Sequence, residues 1–323
     1  MSKALGLLSG GLDSTLAALA LQRQGVEVTC IAFVTPFFGA DKARKAAEKI
    51  GVPLKVHDIS EVHLEMVKKP KYGYGKNMNP CIDCHAMMFR LAGEIMAKEG
   101  FDFLFSGEVL GQRPMSQNAN ALRSVANYSG HPERILRPLS ALLLPKTIME
   151  EEGLVDRTRL LDISGRSRRP QEACAKAWGL TDYPASGGGC LLTEKHFSDR
   201  LRDLFAHQPE ATPADVELLK IGRQFRLSPS SKLTLGRNQA DNDAINQQLR
   251  PDHILLRAAG VAGPLGLISG APTPADLELG AALVAAYGKG KDLPRLLVNL
   301  SGATECPLEV TPLARDAAAR LLL

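Results

Sequence analysis

The stretch that most constrains this chain is Ser9-Gly10-Gly11-Leu12-Asp13-Ser14, which follows a short apolar run, Ala4–Leu8. Leu16, Leu19 and Ala20 then give residues 13–24 one apolar face, and Gly25 stands where helices commonly stop. A glycine-rich turn between a buried strand and a helix start exposes backbone N–H groups where the helix dipole is positive. Glycine lets that backbone approach an anion closely, and the serine hydroxyls add donors. The same residues also suit a plain strand–helix turn with a Ser or Asp cap, so both an anion site and a simple cap are open. No Gly-Lys-Ser/Thr ending follows, which excludes a Walker A loop.

The first half continues in the same alternation. Val26–Val34, Leu54–Ile59 and Phe103–Ser106 read as buried strands, and 41–49 and 82–98 as helices. That order predicts an α/β fold with a parallel, doubly wound sheet. Residues 69–80 form a turn-rich insert of Lys, Tyr, Gly and Asn. The polar, two-proline stretch 206–215 (AHQPEATPAD) reads as a linker. Beyond it, strands at 232–235, 254–257 and 265–268 and helices at 239–249 and 274–287 predict a smaller α+β domain. The expected domains are therefore 1–205 and 212–323, which suits a length of 323 residues.

Composition narrows the classes further. With 45% hydrophobic and 23% charged residues the chain is neither disordered nor fibrous. No window approaches the roughly 18 apolar residues of a membrane helix, and the N-terminal apolar run is too short for a signal peptide. The expectation is a cytoplasmic protein without a membrane partner. Its six cysteines then point to metal or catalytic work, not to disulfides. Cys81-Ile82-Asp83-Cys84 opens a helix, whose N-terminus favours thiolates, and Cys190 follows three glycines. A third distant cysteine closes a one-metal site, for which a structural zinc held by Cys81, Cys84 and Cys190, with or without His85, is one reading. Haem attachment at C-x-x-C-H needs export, and the pair does not follow the first strand as a thioredoxin-like pair would. Cys30, Cys174 and Cys306 are expected as small buried hydrophobes.

SGGLDS resembles the SGGxDS signature of the PP-loop ATP pyrophosphatases, the adenine nucleotide alpha hydrolase-like fold, and it lies in that family's position after strand one. Ser106-Gly107-Glu108-Val109-Leu110-Gly111-Gln112 resembles the TGE-x-LGQ turn of tRNA 4-thiouridine synthetases. The resemblance implies tRNA uridine thiolation. A uridine carbonyl would be adenylated by MgATP and then exchanged for sulfur through an Fe–S cluster or a cysteine persulfide. Ser9, Gly10, Gly11, Asp13 and Ser14 would cradle pyrophosphate, and backbone near Ala32 and Phe33 would meet adenine. Gly107 and Gln112 would lie near the α-phosphate, with Lys146 neutralising nucleotide charge. C-x-x-C with one later cysteine resembles the cluster-dependent tRNA thiolases. This implies a 4Fe–4S cluster on Cys81, Cys84 and Cys190 with one iron left open, and it makes Asp13 and these cysteines the catalytic set. The implied partners are tRNA and a sulfur donor, either hydrosulfide or a persulfide carrier, and a homodimer is left open. Two alternatives stand beside it, a PP-loop amide synthetase and an RNA-binding protein with structural zinc.

Net charge, +4, does not by itself declare a nucleic-acid binder. Residues 1–207 carry 27 Lys and Arg against 23 Asp and Glu, whereas 208–323 balance at 12 and 12. Arg157, Arg159, Arg166, Arg168 and Arg169 cluster, preceded by Arg134 and Arg137, and suit a phosphate grip or a solvated face. Lys220, Arg223, Arg226, Lys232 and Arg237 occur in an acid-free stretch whose surroundings, roughly 215–290, resemble the NFACT-R domain. That resemblance implies RNA contact by Arg223, Arg226 and Arg237, and beside an RNA-modifying site Arg166, Arg168 and Arg169 of the first domain are expected to add a phosphate grip. The synthetases normally carry a THUMP module before the PP-loop; here the RNA module would follow it.

Overall fold

Strands buried on both faces build the centre of the first unit. In the computed structural model, which describes residues 1–185 and 189–323, Lys3–Leu7 (β1) is followed by Leu12–Gln22 (α1), Glu27–Val34 (β2) and Asp41–Ile50 (α2). Leu54–Asp58 (β3), Ser60–Lys68 (α3), Cys81–Glu99 (α4) and Phe103–Ser106 (β4) come next. Ala119–Ser129 (α5), Ile135–Leu136 (β5), Ile148–Glu151 (α6) and Arg169–Ala177 (α7) complete the unit. The five strands are parallel in the order β3-β2-β1-β4-β5. Helices cover both faces, because alternate strand residues enter two cores. Ala4, Val28, Cys30, Ala32 and Phe105 pack with Leu12, Leu16, Ala43, Ala47 and Ala175. Leu5, Ile31, Phe33 and Leu104 pack with Phe89, Ala92 and Val125. Apolar residues on both pleat faces are what a parallel strand covered on both sides demands.

Strand order reverses between β1 and β4. Their C-terminal ends, level at Leu7 and Ser106, open the crevice where ligands bind in such sheets. This positions the Ser9–Ser14 turn and the turn after β4 side by side.

The second unit comprises Lys195–His207 (α8), Pro213–Leu218 (α9), Arg223–Ser228 (β6), Ser231–Leu235 (β7) and Gln239–Gln247 (α10). Ile254–Ala258 (β8), Gly266–Gly270 (β9), Pro274–Ala286 (α11), Leu296–Gly302 (β10), Cys306–Val310 (β11) and Arg315–Arg320 (α12) follow. Its antiparallel sheet has the order β11-β10-β8-β9-β7-β6 and packs Leu233, Leu256, Ile268 and Val298 against Ala281, Val284 and Ala285 of α11. The expected α/β plus smaller α+β architecture is what the chain adopts.

The division between units falls at Thr193/Glu194, so α8 goes with the second unit and not with residues 1–205. The stretch 206–215 joins the end of α8 to the capped start of α9 inside that unit and is not a linker between units. Thr212 N–H donates to Asp215 Oδ2 at 2.8 Å, Pro213 takes the first helical turn, and Arg250 pairs with the buried Asp215 at 2.5 Å. Proline beside a Thr/Asp capping box starts a helix as readily as it marks a connection. Among the described residues no helix is long and apolar enough to cross a membrane.

Candidate functional site

The turn after β1 is shaped for close approach. Gly10 has φ +76°, and a Cβ there would lie 2.2 Å from the Lys42 carbonyl carbon at the start of α2. Only glycine fits so tight a left-handed position. Gly11 caps α1 in extended conformation with no side-chain cap, so the first-turn N–H groups face outward with the helix dipole behind them. Ser9 Oγ accepts from Gly11 N–H at 3.3 Å and lies 3.1 Å from Ser14 Oγ. Ser14 and Thr15 hydroxyls both donate to Gly11 O at 3.0 Å, which holds the turn in shape.

The turn after β4 is clamped onto this loop. A Cβ on Gly107 would stand 2.4 Å from both the Asp13 carbonyl carbon and the Ser14 nitrogen. Gln112 Nε2 donates to Asp13 Oδ2 at 2.9 Å. Among the described residues that leaves Asp13 Oδ1 and Gln112 Oε1 buried without partners. Buried acceptors without donors are costly, and a divalent cation is the natural partner for a carboxylate oxygen and an amide oxygen. These residues therefore fit Mg²⁺ carried in with a nucleotide.

The same turn leads to the thiols, because Glu108 Oε1 lies 2.7 Å from Nδ1 of His85, the neighbour of Cys84. Cys81 and Cys84 sit one turn apart at the start of α4. Asn79 Nδ2 donates to Cys81 Sγ at 3.3 Å, and His63 Nε2 lies 3.3 Å from Cys84 Sγ. Cys190 reaches the pair because the segment after it is pinned: Leu191 N–H donates to Phe37 O at 3.1 Å, and Asn77 Nδ2 to Thr193 O at 2.6 Å. Burial pushes the Cys84 thiol well up, and the neighbouring Cys190, Cys81 and Asp83 charges add to it. The three sulfurs thus share one electrostatic neighbourhood. Among the described residues no group of three His, Cys, Asp or Glu side chains is arranged as a metal site. By donor chemistry the three thiols fit a thiophilic iron or zinc centre, whose positive charge would offset the mutual repulsion that raises Cys84. Two of the expected glycines before Cys190, Gly187 and Gly188, lie outside the described residues.

A family profile described as "Thiamine biosynthesis protein (ThiI)" matches residues 1–175. The chain belongs to the ThiI family. A second profile, "NFACT protein RNA binding domain", matches residues 222–320 of this ThiI-family chain. A relative from Staphylococcus aureus, named "Probable tRNA sulfurtransferase", is 28% identical over 53% of this chain and 41% of its own. One of the same name from Thermoanaerobacter sp. is 30% identical over 57% of this chain and 47% of its own. The chain thus spans less than half the length of these two relatives. A solved 4-thiouridine synthetase–RNA complex with bound ATP is 24% identical, covering 55% of this chain and 52% of that one. Its TM-score is 0.36, too low for the superposition to carry an argument.

Sequence reasoning missed the link between nucleotide loop and thiols in the ThiI-family unit. Glu108, 4% exposed, accepts from Arg137 Nε at 2.9 Å and pairs with His85 Nδ1 at 2.7 Å. Burial alone would push the Glu108 carboxyl up; the Arg137 charge and the His85 hydrogen bond outweigh it and hold the carboxyl at about 2. Arg137 also donates to Leu122 O at 3.1 Å and is buried, so it belongs to this network and not to a phosphate grip. The signals were in plain view: an acid directly after a buried strand, and a histidine directly after C-x-x-C. His63 was missed as well. It is fully buried between Phe37 and Phe38, with ring centroids at 5.5 and 5.4 Å, and burial pushes its imidazole down to about 4.

The remaining expected residues divide. Ala32 and Phe33 end β2, level with Val56 and His57 of β3, and Phe33 lines a depression with His57, Asp58 and Ile95. Lys146 is exposed ahead of the Thr147/Glu150 capping box and forms no ion pair among the described residues. Arg166 and Arg169 are exposed, whereas Arg168 is half-buried with its Nε unpartnered among the described residues. Arg157 is committed to Glu150 at 2.5 Å and Arg159 to Arg23 O. In the second unit Arg226 is tied to Asp203 at 2.5 Å, Arg237 to Asp241 at 2.8 Å, and Arg223 stacks 4.7 Å over Tyr287. Cys30 is a core residue, its thiol pushed up to about 12 by burial, while Cys174 and Cys306 are only half-buried.

Proposed function

We propose that this chain uses ATP to activate a uridine carbonyl in tRNA and replaces its oxygen with sulfur handled by Cys81, Cys84 and Cys190. One observation carries this reading. The six residues 107–112 touch both chemistries, with Gly107 and Gln112 against Asp13 and Glu108 bonded to His85, the neighbour of Cys84. The names of the two relatives support the same reaction class.

The carbonyl oxygen attacks the α-phosphorus of ATP, and pyrophosphate leaves into the Ser9–Ser14 loop. The loop's N–H groups and the α1 dipole stabilise charge developing on that leaving group. Asp13 and Gln112 present two oxygens to the nucleotide's Mg²⁺. Sulfur then adds at the same carbon, and AMP departs carrying the former carbonyl oxygen. With hydrosulfide the exchange is redox-neutral. With a cysteine persulfide, a second cysteine closes a disulfide, which a thiol reductant must reopen. A 4Fe–4S cluster held by the three cysteines would supply an iron without a protein ligand on which hydrosulfide binds. Glu108 and Arg137 fix the His85 ring at this junction. The second unit, 194–323, is proposed to hold the RNA, with Arg223 and Arg237 among its contacts, alongside Arg166 and Arg169 of the first.

The test is RNA-dependent pyrophosphate release by anaerobically purified protein, with iron analysis and mass spectrometry of the tRNA nucleosides. Thiouridine should form, and Cys81→Ala, Cys84→Ala or Cys190→Ala should abolish it while pyrophosphate release persists. Undiminished turnover by the triple variant, with nitrogen and no sulfur entering the product, would replace this reading with adenylation followed by attack of an amine.

A further inference from the structure

The insert between α3 and α4 carries an aromatic and cationic surface that neither the nucleotide loop nor the thiols use. Asp83, lying between Cys81 and Cys84 and only 1% exposed, anchors that surface. Its Oδ1 accepts from Lys71 N–H at 2.9 Å and its Oδ2 from Tyr72 N–H at 3.0 Å. The Tyr72 ring thereby stands 5.7 Å from the ring of Tyr128 on α5, at 62°. Lys71 Nζ lies 4.4 Å over Tyr128 and 5.6 Å over Tyr72. Both tyrosines remain exposed, at 43% and 44%. Two large rings so placed around an ammonium are unlike the scattered apolar residues of an ordinary surface. Lys68, Lys69, Lys71 and Lys76 lie nearby with no acidic residue from 66 to 82, and among the described residues only Lys68 of these forms an ion pair, with Glu65 at 2.7 Å.

We propose that Tyr72 and Tyr128 form a stacking platform for a base of single-stranded RNA, with Lys71 and its neighbouring lysines meeting the phosphates. The inference rests on the reading of RNA as substrate and deepens it. Aromatic faces accept any base while leaving its edges free, and lysines beside them neutralise the backbone. Through Asp83 the platform rides on the same helical turn as Cys81 and Cys84, so a base stacked there registers the strand against the thiols.

The experiment measures binding of a fluorescein-labelled decauridylate to the full chain. Tyr72→Ala/Tyr128→Ala should weaken binding about ten- to a hundredfold, as loss of stacked bases does. Tyr72→Phe/Tyr128→Phe should stay within about twofold, because the face and not the hydroxyl is used. An alanine variant binding like the parent overturns the platform, as does a phenylalanine variant as weak as the alanine one. Photocrosslinking of 5-iodouridine RNA to the parent protein should mark Tyr72 or Tyr128, and crosslinks confined to other residues overturn it without any variant. Tyrosine-dependent RNA binding by a protein with no RNA-dependent pyrophosphate release would sink the thiolation reading and leave the platform standing.

Discussion

Replacing Glu108 by glutamine tests whether the turn after β4 is held by charge. In the folded chain its carboxyl is held at about 2 against an ordinary 4.5. That difference corresponds to about 3 kcal/mol of stability at neutral pH. The sign follows from the depression: the contribution is complete above the unfolded value and is lost as pH falls from about 4.5 through about 2. By pH 3 about 2 kcal/mol of it should be gone. Glu108→Gln also leaves Arg137, 8% exposed, without its counter-charge. Breaking one side of a buried pair costs about 3–5 kcal/mol, the range expected at pH 7. Urea unfolding followed by fluorescence reads this directly, because the single tryptophan, Trp178, lies in the first unit. The gap between parent and variant should be about 3–5 kcal/mol at pH 7 and shrink by about 2 at pH 3. A gap below about 1 kcal/mol at pH 7, or one that does not narrow in acid, would refute the argument.

Two further outcomes follow from the same geometry. Gly107→Ala drives a Cβ into the backbone of Asp13 and Ser14, at 2.4 Å from each, and should weaken ATP binding about tenfold or more by calorimetry with unchanged circular dichroism. In the second unit, Arg226→Leu removes the Asp203 pair and the bonds to Ser228 O and Ser231 O. It should cost about 3 kcal/mol, seen as lost hydrogen-exchange protection in β6 and β7 with β1 and β4 unchanged.

How much of this was legible depends on whether the signal was local. β1, β2 and β4 were readable because doubly covered strands are continuous apolar runs. α3 was not: its buried face is His63, Leu64 and Val67, and a buried histidine does not look apolar in a sequence. β6 reads in the sequence as a basic RNA-facing stretch, since Arg226 shows its charge there and not its Asp203 partner. β10 went unread although its residues alternate between buried and exposed from Leu296 to Ser301. The nucleotide loop was legible as a contiguous motif. Its coupling to the thiols was not, because Glu108, His85 and Arg137 come from three separate elements and meet only after the sheet has formed.

The short bridge from Gly107 to Gln112 is fastened to Asp13 at both extremities, and through Glu108 to His85 in between. A single-residue insertion or deletion inside it would pull one fastening loose whatever residue was chosen. Drift in this lineage can therefore change side chains around the bridge far more freely than it can change the bridge's length.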